Sequence, residues 1–172
     1  HGLPVFCVSV ALVDGDTPIV AVVYDPNRDE CFTAVKGGGT HLNGERVRCS
    51  DCSSLQHALV ATGVPHWDFT RMSEYLQAMT AFAKGTRGLR RMGSAAIDLA
   101  YVACGRFDVF FEYSLQPWDI AAGLLLVQES GGTTCDFKGG DGAEVLLSGK
   151  ETLASAPGLS GEVLSVIRHA FD

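Results

Sequence analysis

Two carboxylates stand out by their placement, Glu112 and Asp119. DVFFE (108–112) reads as a strand, and Pro117-Trp118-Asp119 opens a helix that runs through AAGLLLVQES to Gly131-Gly132. Glu112 therefore ends a strand, and Asp119 lies in the first turn of a helix a few residues later. Paired oxygens at such a junction can hold a hard cation or accept hydrogen bonds from hydroxyl groups. Taken alone, Asp119 has a plain structural explanation, a favourable interaction with the helix dipole of about 0.3–1 kcal/mol. Its neighbours point further. Trp118 is large enough to lock the turn, and Ala121, Ala122 and Gly123 let another backbone approach closely. Gly93-Ser94-Ala95 opens a second helix, whose free N–H groups favour an anion or a hydroxyl oxygen. Asp98 (mid-helix) and Asp108 (at a strand start) read as structural.

The elements that must position these groups follow from periodicity. VFCVSVALV (5–13) is almost wholly apolar and predicts a strand buried on both faces; PIVAVVY (18–24) and residues 31–35 predict two more, and the turns between them predict an antiparallel meander. Asn43-Gly44 marks a hairpin tip, and Gly37–Gly39 reads as hairpin geometry. A strand is expected at 57–61. Met72, Tyr75, Leu76, Met79 and Phe82 then recur at helical spacing, predicting a helix over 68–84 closed by Gly85. A short strand at 89–92, a helix over 93–104, late strands at 133–137, 145–147 and 152–155, and a final helix over 160–171 complete the reading. Helices and strands interleave without repeats or linkers, so the expected class is a layered α/β (α+β) sandwich in one domain.

Other chemistries find little support. There is no G-x-S-x-G, no G-x-G-x-x-G after a strand, and Lys36 precedes its glycines, unlike a phosphate-cradling G-x-x-x-x-G-K loop. The five histidines form no pair at helical spacing. Of the six cysteines, Cys7 and Cys104 read as small core residues, and Cys49-Ser-Asp-Cys52 lacks the second pair that a zinc site requires. Thirteen Lys and Arg against twenty Asp and Glu give a net charge of −7. That balance argues against direct nucleic-acid binding and against an anionic membrane surface, because phosphate contacts need clustered cations. No apolar run reaches the roughly 18 residues of a membrane span. With 47% hydrophobic residues the chain has ample material for a core. Glycine, at 20 of 172 residues, is enriched over an average near 7%.

WDIAAGLLLVQESGG (118–132) closely resembles the C-terminal signature of the inositol monophosphatase family. GSAAIDLAYVACGRFDVFFE resembles that family's G-[ST]-A-A helix and following strand, and V-V-Y-x-P with KGGGTHLNGE resembles its central hairpins. The similarity runs over essentially all 172 residues. It implies the inositol monophosphatase/fructose-1,6-bisphosphatase-like sandwich and Mg²⁺-dependent, lithium-sensitive hydrolysis of a small phosphorylated metabolite, inositol monophosphate first, by a cytoplasmic homodimer. It makes Asp119 the catalytic Mg²⁺ ligand, makes Glu112 a partner of a substrate hydroxyl, and sets Gly93, Ser94 and Ala95 along the substrate pocket.

The resemblance also bears on the first residue. His1-Gly2-Leu3-Pro4-Val5-Phe6-Cys7-Val8-Ser9-Val10 looks like the continuation of the family's D-P-[IL]-D-G-T-x-N-F metal motif. Residues 1–172 are thus expected to be the C-terminal portion of a single such domain, lacking the upstream elements and inactive by itself. Relatives hydrolyse fructose 1,6-bisphosphate, histidinol phosphate or 3′-phosphoadenosine phosphates as well, and the extragenic suppressor proteins use the same fold to bind proteins. A remnant without activity is the third possibility.

Overall fold

The computed structural model describes all residues, 1–172. Its first five strands, β1 (Val8–Asp14), β2 (Thr17–Asp25), β3 (Glu30–Val35), β4 (Gly39–Leu42) and β5 (Glu45–Val47), form an antiparallel meander in sequence order. The expected Asn-Gly tip joins β4 to β5, with Asn43 and Gly44 both at positive φ, 51° and 84°. Such a turn matches the twist of the flanking strands. The 36–38 turn is fixed from outside, since Glu129 accepts hydrogen bonds from the N–H groups of Gly37 (2.7 Å) and Gly39 (2.9 Å).

After β6 (Leu59–Thr62), helix α1 (Met72–Gly85) and β7 (Gly88–Arg90) come α2 (Ala95–Ala103), β8 (Val109–Tyr113) and α3 (Pro117–Glu129). The chain ends with β9 (Thr133–Cys135), the short helix α4 (Ala143–Leu147), β10 (Glu151–Ser155) and α5 (Ser160–Phe171). The second sheet has the order β7-β6-β8-β10-β9, with β6 parallel to both β7 and β8, and β10 antiparallel to both β8 and β9. Helices α2 and α3 lie between the two sheets. Their side chains join Ala21, Val23 and Phe32 of the first sheet to Ala61, Phe110 and Ala154 of the second in one core. That position explains why both helices are apolar all round, as a helix covered on two sides must be. A second core on the far face of the second sheet packs Tyr75, Ala78 and Phe82 of α1 and Val163 and Ile167 of α5 against Val109, Phe111 and Leu153. The expected layered α+β sandwich is thus found as sheet, helices, sheet, helices.

Three expectations are corrected. Residues 145–147 are helical rather than a strand: Val145-Leu146-Leu147 sits in α4, where only Leu146 is buried and the helical turn sends it inward. The first strand is not buried on both faces. Ser9 and Ala11 turn toward α3, whereas Val8, Val10 and Leu12 are 54–57% exposed on an outer face that no element of this chain covers. Apolar composition alone could not reveal that one-sided burial. Cys7 and Cys104 sit at the edge of the core rather than within it: both are partly buried and pack against it, with Cys7 Sγ 3.5 Å from Ser94 Oγ. Asp108 is structural as read, because its carboxylate accepts from Leu59 N at 2.7 Å and Ser50 Oγ at 2.5 Å, pinning the start of β6. The thiols of Cys49 and Cys52 point to different carbonyls, those of Ser130 and Ser54.

Candidate active site

One cleft of about 480 Å³ opens where the N-termini of α2 and α3 meet the end of β8. Glu112, Asp119, Gly93, Ser94 and Ala95 all line it. The local sequence explains this convergence. Gly93 has φ +104°, a conformation that L-residues rarely adopt, so the chain can turn sharply from β7 into α2. Ser94 then caps α2, its hydroxyl accepting from Ile97 N at 3.5 Å. Ala95 and Ala96 follow in the first helical turn, where N–H groups lack intrahelical partners, and both line the cleft. At Gly123 an added Cβ would meet Leu99 Cδ1 at 2.5 Å and Leu99 Cβ at 2.6 Å. The small residues after Asp119 therefore do admit close approach, with α2 as the neighbour.

Asp119 enters from α3, half-buried, with Oδ2 accepting from Gln116 N at 2.9 Å. It thus secures the helix start and lines the cleft. Trp118 does not lock the turn. It is 69% exposed and forms part of the cleft rim, because α3 turns its next residue, Ile120, into the core instead.

Glu112 is 7% exposed. Burial pushes its carboxyl up to about 7, Arg91 opposing and Asp119 adding to the rise. Asp98, read from sequence as structural, lines the same cleft at 1% exposure. Burial, reinforced by Glu112 and opposed by Arg91, raises it to about 8. Burial thus disfavours the ionised form of both carboxyl groups.

Sequence reasoning missed three contributors. Gly63, just past β6, gives Glu112 its place: a Cβ there would overlap the Glu112 carboxylate. Arg91 brings the one guanidinium of the cleft, with Nη1 2.7 Å from where a Gly93 Cβ would stand. His66 lines the cleft from the same loop as Gly63. A glycine placed just after a strand and an arginine just before the G-S-A-A turn were visible signals, but only the fold shows that they face one space.

A hard divalent cation fits this donor set only in part. Asp119 can supply one oxygen, yet no three His, Cys, Asp or Glu side chains converge where a metal could be held. Mg²⁺ demands near-octahedral oxygen ligation, so the residues of this chain do not complete a site for it.

Comparison with known proteins places this geometry in context. The sequence matches the inositol monophosphatase family over residues 1–170. It is 44% identical over 152 residues to the Nus factor SuhB of Xylella fastidiosa, covering 88% of this chain and 55% of that protein. It is also 44% identical over 159 residues to the inositol-1-monophosphatase of Rhizobium meliloti, covering 91% of this chain and 60% of that protein. Among solved structures, the extragenic suppressor protein suhB of Bartonella henselae superposes with a TM-score of 0.91 at 38% identity, covering 98% of this chain and 63% of that one. The inositol monophosphatase of Anabaena superposes at 0.89 and 33% identity, covering 96% and 65%. The chain thus spans a little over half to about two thirds of the length of these relatives. With its sequence over residues 1–170 and its fold both matching, the chain belongs to the inositol monophosphatase family.

Proposed function

We propose that the protein carrying this chain hydrolyses the phosphate monoester of a small polyol, inositol monophosphate foremost, with Mg²⁺ as cofactor. The observation that carries this reading is the convergence of Glu112, Asp119 and the α2 N-terminus on one cleft in a member of this family. Glu112, buried beside Gly63, accepts a hydrogen bond from a substrate hydroxyl. The first-turn amides of α2, with Ser94 and Ala95, line the face against which a hydroxyl or phosphoryl oxygen rests. Asp119 offers a carboxylate oxygen to the metal while its second oxygen holds the helix start. Asp119 would give a bound Mg²⁺ one of its ligands, and the metal would supply the activation of water and the charge neutralisation that phosphate-ester hydrolysis needs. The remaining ligands lie outside residues 1–172, which serve as the C-terminal portion of the domain. Lithium sensitivity, a homodimeric assembly and a cytoplasmic location belong to the same proposal.

A second reading is favoured by the relatives' names. Proteins called Nus factor SuhB match at 44–50% identity, so a protein-binding role of the extragenic suppressor kind stands beside catalysis. Phosphate release from myo-inositol 1-phosphate with and without Mg²⁺ tests the first reading. Absence of turnover on any phosphomonoester, together with retained capture of transcription proteins by Asp119→Asn, would transfer the weight to the second.

A further inference from the structure

The Glu112 carboxylate rests on Gly63 with no side chain between them, so whatever holds Gly63 decides where that acid stands. Gly63 follows the last residue of β6, and no backbone N–H donates to its carbonyl. Two buried hydroxyls stand within hydrogen-bond reach of it instead, Thr62 Oγ1 at 3.3 Å and Tyr75 Oη at 3.2 Å. The same two reach the carbonyl of Phe111, at 2.8 and 3.2 Å, and that carbonyl belongs to the peptide that carries the Glu112 N–H. They also lie 2.6 Å from each other. Their two protons are thus shared among the two carbonyls and the hydroxyl–hydroxyl contact. Thr62 and Phe111 are directly paired in the parallel β6–β8 ladder, and Phe111 and Tyr75 belong to the core beneath α1 and α5. Alternation turns Glu112, the next residue of β8, to the opposite face and the cleft. Tyr75 is fully buried, its ring 5.3 Å from that of Phe111 and 5.1 Å from that of Tyr113, so its hydroxyl has a fixed place. Phenylalanine would fill the same aromatic packing. What the hydroxyl adds is a hold on the two carbonyls that flank the seat of the acid.

We propose that Thr62 and Tyr75 are positioning residues for Glu112: from the rear of the sheet their hydroxyls tie the ends of β6 and β8 together and fix the Gly63 backbone on which the Glu112 carboxylate meets a substrate hydroxyl. Neither side chain lines the cleft, so neither touches substrate. Loss of one hydroxyl leaves two buried carbonyls with a single donor, and the backbone at Gly63 shifts to satisfy them. Because the carboxylate lies directly on that backbone, it shifts as well. The same hydroxyls anchor α1 to the site, since Tyr75 is the one member of the pair that comes from that helix. The proposal rests on the phosphatase reading for its substrate, whereas the positioning itself is a property of the protein without metal.

The test has two arms, both on the intact protein. In the first, kcat/KM is measured with Mg²⁺ on myo-inositol 1-phosphate and on 4-nitrophenyl phosphate, whose leaving group carries no other hydroxyl. Tyr75→Phe and Thr62→Val should each lower the ratio of the two about three- to tenfold, chiefly through KM for the inositol ester. Thr62→Ser keeps the hydroxyl and should stay within about twofold of wild type. Thr40→Val is the control for a purely structural loss. Thr40 is equally buried and its hydroxyl donates to Leu126 O at 2.6 Å, but neither residue lines the cleft, so the ratio should not move. In the second arm, the Glu112 carboxyl is titrated by carbon NMR in metal-free protein. Burial pushes it up to about 7, so a carboxylate displaced from Gly63 toward water should titrate lower in Tyr75→Phe and Thr62→Val. Thr62→Ser and Thr40→Val should titrate as wild type does. The charged groups around Glu112, namely Arg91, Asp98 and Asp119, are the same in all of these proteins. A ratio unmoved by Tyr75→Phe and Thr62→Val, an equal loss in Thr40→Val, failed rescue by serine, or an unmoved Glu112 titration would overturn the proposal. Should the wild-type protein hydrolyse neither ester, the phosphatase reading falls by itself, and the titration still decides whether Thr62 and Tyr75 govern Glu112.

Discussion

Gly63→Ala separates the site from the fold more cleanly than removal of any charged group. Gly63 is not among the residues at positive φ, so alanine suits its backbone and any effect is steric. The atoms an added Cβ would overlap are the carboxylate carbon and both oxygens of Glu112. These are the far end of a side chain, so the strain is relieved by displacing the carboxylate rather than by parting the strands. Stability should therefore fall by only about 1 kcal/mol, the low end for overpacking. The acceptor, however, leaves its place. A hydrogen bond to a charged group contributes about 1.5–3 kcal/mol, so kcat/KM on myo-inositol 1-phosphate should drop about 10- to 100-fold. Gly161→Ala is the control: it lies in α5 with no atom within 4 Å of its would-be Cβ, and should be neutral or mildly stabilising. Thermal unfolding and steady-state phosphate release on both variants provide the readings. If Gly63→Ala matches Gly161→Ala in kcat/KM, Glu112 does not contact substrate from the position described.

Gly123→Ala acts on the core instead. Its Cβ would meet the Leu99 Cβ, close to the α2 backbone, so the helices must part and chemical denaturation should show a loss of about 1–3 kcal/mol despite better helix propensity. Asp98→Asn should flatten the stability profile between pH 5 and pH 8. The folded-state carboxyl titrates near 8 against an ordinary 3.8, so the unfolded chain binds fewer protons in that window and the wild type loses stability as pH rises. A Tm gain of at least about 3 °C for the variant at pH 8, absent at pH 4, is the expected result, and parallel curves would contradict it. Glu129→Ala should quicken amide hydrogen exchange at Gly37 and Gly39, whose N–H groups it binds, and lower stability by about 1 kcal/mol. Unaltered exchange would show that the loop holds itself.

Most of the architecture was legible because its signals are local. The Asn43-Gly44 tip, the helical spacing of Met72 to Phe82, and the G-S-A-A and P-W-D helix starts each fix a conformation within a few residues. The misreadings came where burial is decided at a distance. Val145–Leu147 has strand composition, yet Gly142 and the turn around Asp136 deliver it as a helical turn in which only Leu146 reaches the core. Val8, Val10 and Leu12 have core composition on a face this chain leaves open. The site divides the same way. Glu112 and Asp119 could be chosen from strand-end and helix-start positions alone. Asp98 looked structural because mid-helix acids usually are, and Gly63 carries no chemistry until the fold sets it against Glu112.

The most direct test of the central claim is Mg²⁺-dependent phosphate release from myo-inositol 1-phosphate by the intact protein, wild type against Asp119→Asn. Asparagine keeps an oxygen for Gln116 N, so the helix start and the fold should survive. We predict turnover in the wild type that requires Mg²⁺, and a loss of at least about 100-fold in the variant with Tm little changed. Equal turnover in the two proteins, or turnover in the wild type indifferent to Mg²⁺, would contradict the assignment of Asp119 and the reading of the cleft as a metal-assisted phosphatase site.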